Sequence, residues 1–237
     1  LGDNEEVEQR RNIERELNNL ITVKPYAKIL GIETREQGIE LLRKIEWCGR
    51  ISHRSEDAQT ETSWEKFIQA VVIGHGDWPI VEHASVTVDF MVDRGITHEI
   101  VRHRLFSFTQ ESTRFVNYEK KMPPNFVMPE AITDNLQDIW QQAITNCENM
   151  YRVLINAGVT PQIARSVFPN ALASRLIVTG NLRNWRHFFI MRTTKETHPQ
   201  MREVTIPLLE EFKAKIPILF DDIEPLAKQS EGMKKGR

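Results

Sequence analysis

The sequence predicts an α+β fold: a single domain with a central, mostly antiparallel sheet flanked by helices, and helical additions at both ends. Three observations carry this reading. Apolar residues recur at helical spacing in several stretches of ten or more residues, and in other stretches they alternate at strand spacing. The two kinds of stretch follow one another with no internal repeat and no linker long enough to separate two domains. With 237 residues, 40% of them apolar, the chain has material for one substantial core.

Residues 1–18 are mostly Glu, Arg and Asn and predict a polar tail or solvated helix ahead of a domain over 19–227. From Ile21, VKPYAKILGIE reads as a strand leading to a helix over about 35–48, where Ile39, Leu42, Ile45 and Trp47 recur. Thr62 or Ser63 caps a second helix through WEKFIQAVVIG. GHGDWPIVEH is punctuated by Gly and Pro and predicts a loop, after which ASVTVDFMV alternates as a half-buried strand.

GITHEIVRHR resumes a short helix. Residues 118–133 contain Pro123, Pro124 and Pro129 and read as a connecting loop. DNLQDIWQQAITNCENMYRVLINAG is a long amphipathic helix that Gly158 can end, and Pro161 opens the short helix PQIARSVF. ALASRLIVTG is a strand and NLRNWRHFFIMR a helix. The final helix, THPQMREVTIPLLEEFKAKIP, is expected to bend or restart around Pro207, because proline has no N–H to donate. Residues 228–237 predict a polar C-terminal tail.

Composition bounds the function. Lys and Arg number 31 against 33 Asp and Glu, a net charge of -2, so no global field draws the protein to nucleic acid or to an anionic membrane. Cys48 and Cys147 stand far apart, outside any Cys-x-x-Cys pair, which argues against structural zinc or a disulfide framework and for a cytoplasmic protein. No apolar run is long enough to span a bilayer. Dinucleotide, P-loop and zincin motifs are absent. His98 and Glu99 are followed by Arg102, whose charge would repel a metal ion, so no metal site is expected.

Local cationic chemistry stands out against this neutral background. RHRLFSFTQESTR, residues 102–114, gathers three arginines, a histidine and several hydroxyls around the single acid Glu111. Ser112, Thr113 and Arg114 form a short set suited to a phosphate, two hydroxyls followed by a guanidinium fork. In the helix 182–192, Arg192 shares a face with Trp185, Phe188 and Phe189, while Arg183 and His187 are i, i+4 neighbours near its N-terminal end. Arg165 lies in an otherwise apolar helix, where it either meets an anion or lets its stem pack while its head reaches water. Neither cysteine has a neighbouring histidine or donor-rich turn to activate it.

Arg102-His103-Arg104, then seven residues, then Ser112, resembles the signature of the flavin-dependent thymidylate synthases. The resemblance runs over most of the chain from about residue 40, through the HG…EH loop, the signature, ARSVFP and the N-x-R…R segment. It implies reductive methylation of dUMP to dTMP, with methylenetetrahydrofolate as carbon donor, FAD as redox carrier and NADPH as reductant, in a homotetramer whose active sites are shared between subunits. It further implies that Arg102, His103, Arg104, Gln110, Asn181, Arg183 and His187 hold FAD. For dUMP it implies Glu99, Arg102, Gln110, Glu111, Ser112, Thr113, Arg114, Arg165 and Arg192, with Arg192 as the catalytic group assisting ionisation at the pyrimidine N3. Glu99 stands where family members commonly have Gln. The absence of an activated thiol agrees, because the family is not thought to need one. The alternative is a non-catalytic nucleotide- or nucleic-acid-binding relative that uses the same basic cluster, with Phe106, Phe108 and Phe115 as stacking platforms.

Overall fold

The computed structural model describes residues 20–118, 122–133 and 135–225, so the tails expected at 1–18 and 228–237 lie outside the described residues. In chain order, Ile21–Thr22 (β1) precedes Tyr26–Leu30 (β2), and a helix follows at Arg35–Ile51 (α1). A capping box opens α1: the Thr34 hydroxyl accepts from the Gln37 N–H, and the Gln37 side chain accepts from the Thr34 N–H at 3.0 Å. Leu42 and Ile45 are fully buried as the periodicity requires, whereas Trp47 is exposed. Glu46 is buried too, and is satisfied by Arg50 at 2.8 Å and by the Gln59 amide at 3.3 Å.

The second helix departs from expectation. Ser63–Phe67 (α2) is α-helical, but Ile68–Gly74 continues it as a π-helical stretch. Thr62 makes no side-chain cap; Thr60 and Ser63 instead exchange backbone-to-hydroxyl bonds of 2.7 and 3.1 Å. The expected loop at GHGDWPIVEH contains a 3₁₀ helix, Trp78–His83, started by Pro79 near its first turn.

Ser85–Asp93 (β3) buries Val86, Val88, Phe90 and Val92 on one side at period two. Asp93 then caps Arg94–Ile100 (α3), its carboxylate accepting from the Ile96 N–H at 2.9 Å. Ser107–Gln110 (β4) lies inside the basic segment and is not evident from sequence, because four residues of mixed polarity carry too little alternation to stand out. Asn125–Phe126 (β5) pairs in parallel with β1, placing Ile21 opposite Asn125 and Thr22 opposite Phe126.

Asn135–Asn156 (α4) ends before Gly158, whose φ of +86° is reached without cost only by glycine. Pro161–Ala164 (α5) passes into a 3₁₀ turn at Arg165–Val167. Ala173–Asn181 (β6) joins β2, β3 and β4 in an open antiparallel sheet of order β2-β3-β6-β4. Leu182–Arg192 (α6) is capped by Asn181, whose side-chain oxygen accepts from the Asn184 N–H at 2.8 Å. Pro199–Lys215 (α7) runs through Pro207 without restarting. Val204, Leu208, Leu209 and Phe212 are buried on both sides of the proline, and this packing outweighs the one backbone hydrogen bond it forgoes.

The chain divides into two compact units. One comprises Tyr26–Phe90, Val101–Phe108 and Ile177–Arg237; the other comprises Leu1–Pro25, Met91–Ile100 and Thr109–Leu176. The first has an aromatic core in which Trp185 packs against Phe106, Phe188 and Phe212, and the Trp185 indole N–H donates to the Val86 carbonyl at 3.0 Å. The second packs Tyr118 and Tyr151 with Phe168, and Phe126 with Ile144 and Leu172.

Candidate functional site

Each unit carries its own basic cavity. In the first unit, the turn after α3 and one face of α6 enclose about 300 Å³, lined by Arg102, His103, Arg104, Asn184, His187 and Arg192 with Leu105, Phe106 and Met191. No acid is among these residues. Helical spacing explains why α6 contributes as it does, since Asn184, His187 and Met191 stand at i, i+3 and i+7. Phe106 is held beneath the cavity by Trp185, at 4.6 Å between ring centroids, and can approach β6 so closely because residue 180 is glycine: a Cβ there would overlap the Phe106 ring.

The centre of this cavity is a pair. The Arg192 Nε donates to the His103 Nε2 at 2.9 Å, so His103 is neutral, with its proton on Nδ1. Burial chiefly, then the Arg192 guanidinium and His187, lower the His103 pKa from 6.5 to about 4. Phe188 braces the imidazole edge-on at 4.9 Å. Arg192 also occupies the last turn of α6, where the helix dipole favours a cation.

Two other predicted flavin residues of this unit lie outside the cavity lining. Asn181 is engaged as the α6 cap, and Arg183 is exposed and paired with Glu82 at 2.6 Å. The residues that sequence reading missed are Asn184, whose amide donates to the Leu105 carbonyl at 3.2 Å, and the apolar wall of Leu105, Phe106 and Met191. The i, i+3, i+7 pattern with His187 was the available signal. Phe106 is only 7% exposed, so it offers no face on which a base from solvent could stack.

In the second unit, a cavity of about 360 Å³ is lined by Arg94, Thr113, Gln162, Arg165, Ser166 and Asn170, with Phe168, Pro169 and Leu172. Again no acid is present. The Arg165 Nη1 donates to the buried Thr113 hydroxyl at 2.7 Å, so the head of Arg165 is held at the cavity rather than released to water. Ser112 and Arg114 lie outside the lining: the Ser112 hydroxyl accepts from the Arg114 N–H at 3.3 Å, and the exposed Arg114 guanidinium sits over Phe115. Sequence reading also missed Arg94, Gln162, Ser166 and Asn170, because nothing in their spacing sets them apart.

Gln110 and Glu111 are both tied into this second unit. The Gln110 amide donates to the Thr97 and Ser174 hydroxyls at 3.0 and 3.1 Å. Glu111 accepts from the Tyr118 hydroxyl at 3.0 Å; burial and then the Glu111 charge raise the Tyr118 pKa far above its usual 10, so the phenol stays protonated and donating. Glu99 is half-buried on α3 and lines neither cavity. Among the described residues, no group of three or more His, Cys, Asp or Glu could hold a metal ion, and no helix is long and apolar enough to cross a membrane.

The chain as a whole is similar to known proteins. The sequence model of the family described as Thymidylate synthase complementing protein matches residues 39–218. A flavin-dependent thymidylate synthase of Corynebacterium efficiens is 33% identical over 213 residues, covering 81% of this chain and 82% of that one. Another, of Pyrococcus furiosus, is 34% identical over 197 residues, covering 79% and 78%. A solved structure of the UMP/dUMP methylase PolB from Streptomyces cacaoi, bound with 5-Br dUMP, shares the fold at a TM-score of 0.68 and 21% identity, over 85% of this chain and 95% of that chain.

Proposed function

The chain belongs to the flavin-dependent thymidylate synthase family, and on that basis we propose that it converts dUMP to dTMP by reductive methylation, taking its carbon from methylenetetrahydrofolate and its reducing equivalents from NADPH through FAD. The observation that carries this reading is the acid-free cavity of Arg102, His103, Arg104, His187 and Arg192. A flavin dinucleotide needs cations for its pyrophosphate and an apolar wall for its ring. Arg102 and Arg104 offer the first, and the exposed Leu105 and Met191 the second. Bound there, FAD supplies the two-electron redox chemistry of a reductive methylation.

The residues of the chain do the rest by positioning and charge. Neutral His103 fixes the Arg192 guanidinium by accepting from Nε, and a guanidinium fixed beside the pyrimidine N3 stabilises negative charge developing there. In the second unit, Arg94 and Arg165 suit a phosphate, with Thr113 holding the Arg165 fork in one orientation. Gln110, Glu111, Ser112, Arg114 and Glu99 complete the proposed nucleotide contacts, and Asn181 and Arg183 the flavin contacts. In the homotetramer the sites are shared between subunits. The protein works in the cytoplasm.

The test is a visible absorption spectrum of the purified protein before and after NADPH and dUMP, together with assay of dTMP formed from methylenetetrahydrofolate. A yellow protein bleached by NADPH, with oxidation stimulated by dUMP, is expected. Colourless protein that takes up no FAD and forms no dTMP would refute the reading.

A further inference from the structure

Helix α4 is apolar on two faces. Its inner face is accounted for: Ile144 and Tyr151 are buried in the core of their unit, with Trp140 and Leu154 packed alongside. Its outer face presents Leu136, Ile139, Ala143, Asn146, Met150 and Val153, all exposed, with Ile139 at 66% and Val153 at 56%. Successive members of this set stand three, four, three, four and three residues apart. Scattered surface apolar residues are ordinary, but an unbroken three-four spacing along a 22-residue helix, about 33 Å of axis, is the pattern of a helix that pairs with another helix.

The charge pattern identifies the partner. In a chain with 27% charged residues, α4 has only Asp138, Glu148 and Arg152. Glu148 is 8% exposed and is bound by Arg152 at 2.7 Å. The positions flanking the outer seam, Trp140 and Cys147 on one side and Gln142 and Asn149 on the other, are all uncharged. A seam that selects a different protein ordinarily does so through opposite charges at those flanks, whereas neutral flanks let identical seams meet without like-charge repulsion. Asn146 suits the same arrangement, because an amide both donates and accepts and so can satisfy a polar group of an identical seam across a two-fold axis.

We propose that α4 pairs along this seam with α4 of a second copy of the chain. The inference deepens the self-assembly contained in the proposed function by locating one interface, and its geometry does not depend on the reaction. The test uses the full chain. In sedimentation velocity at micromolar concentration, the wild type is expected to run as an oligomer. The double variant Ile139→Lys/Met150→Lys is expected to lose at least half that mass, its association weakened by about 100-fold or more, with its circular dichroism spectrum unchanged.

A measurement on the wild type alone guards against a variant that misfolds. Peroxide should oxidise Met150 much more slowly than Met122, although both are exposed in the single chain, at 52% and 65%. A double variant that folds and keeps the wild-type mass overturns the seam, as does Met150 oxidised as fast as Met122. Formation of dTMP, read in parallel, reports separately on the activity.

Discussion

Replacing Arg192 with alanine should raise the pKa of His103 while leaving it below the value of a free histidine. In the folded protein the imidazole titrates at about 4 because burial, and secondarily the Arg192 and His187 charges, oppose its protonation. Removing Arg192 deletes the second cause and the hydrogen bond that Nε2 accepts, but not the burial. The drop from 6.5 to about 4 would correspond to about 3 kcal/mol at full strength, and screening of a half-buried ring reduces this to ~1–2 kcal/mol. The sign follows from linkage. The folded pKa lies below the unfolded one, so as pH falls from about 6.5 towards 4 the unfolded chain takes up the proton first. The stability present above 6.5 is therefore lost across that window and falls no further on this account below it. Two-dimensional NMR of the histidine ring resonances from pH 4 to 8, with urea melts at the same pH values, measures both effects. A wild-type His103 titrating at 6.5 or above, or an Arg192→Ala variant with an unshifted His103, would refute the arrangement.

Other substitutions separate binding from chemistry. Arg192→Ala should abolish most turnover while retaining FAD, whereas Arg183→Ala should chiefly weaken flavin retention; loss of the exposed Arg183–Glu82 pair should cost under about 0.5 kcal/mol in a denaturant melt. Thr113→Val keeps the shape but removes the acceptor of the Arg165 bond, worth ~1–2 kcal/mol at an open cavity, so KM for dUMP should rise about tenfold with a smaller change in kcat. Gly180→Ala forces the Phe106 ring away from β6 and should lower stability by about 1–3 kcal/mol and loosen flavin binding together, measured by thermal unfolding and by release of flavin fluorescence.

The strongly periodic elements and the basic segment were legible in the sequence alone. The strands β3 and β6 and the helices α1, α4 and α6 were readable because each buries one face, and burial enforces a period of two or 3.6 on the residues that carry it. The basic segment was readable because residues 102–114 gather three arginines and a histidine around the single acid Glu111, a local imbalance in a chain whose charges otherwise cancel. Long-range packing settles what periodicity does not encode. The strand β4 owes its existence to the neighbour it pairs with, since its own four residues hold no clear alternation. Helix α7 continues through Pro207 because buried neighbours on either side hold it. Arg183 turns to Glu82 and Thr113 to Arg165 although nothing local distinguishes them from Arg192 and Ser112. Which of several cations faces a cavity is set by partners far away in the chain, 52 positions for Arg165 and Thr113 and 101 for Arg183 and Glu82, and contacts at that separation exist only once the chain has folded.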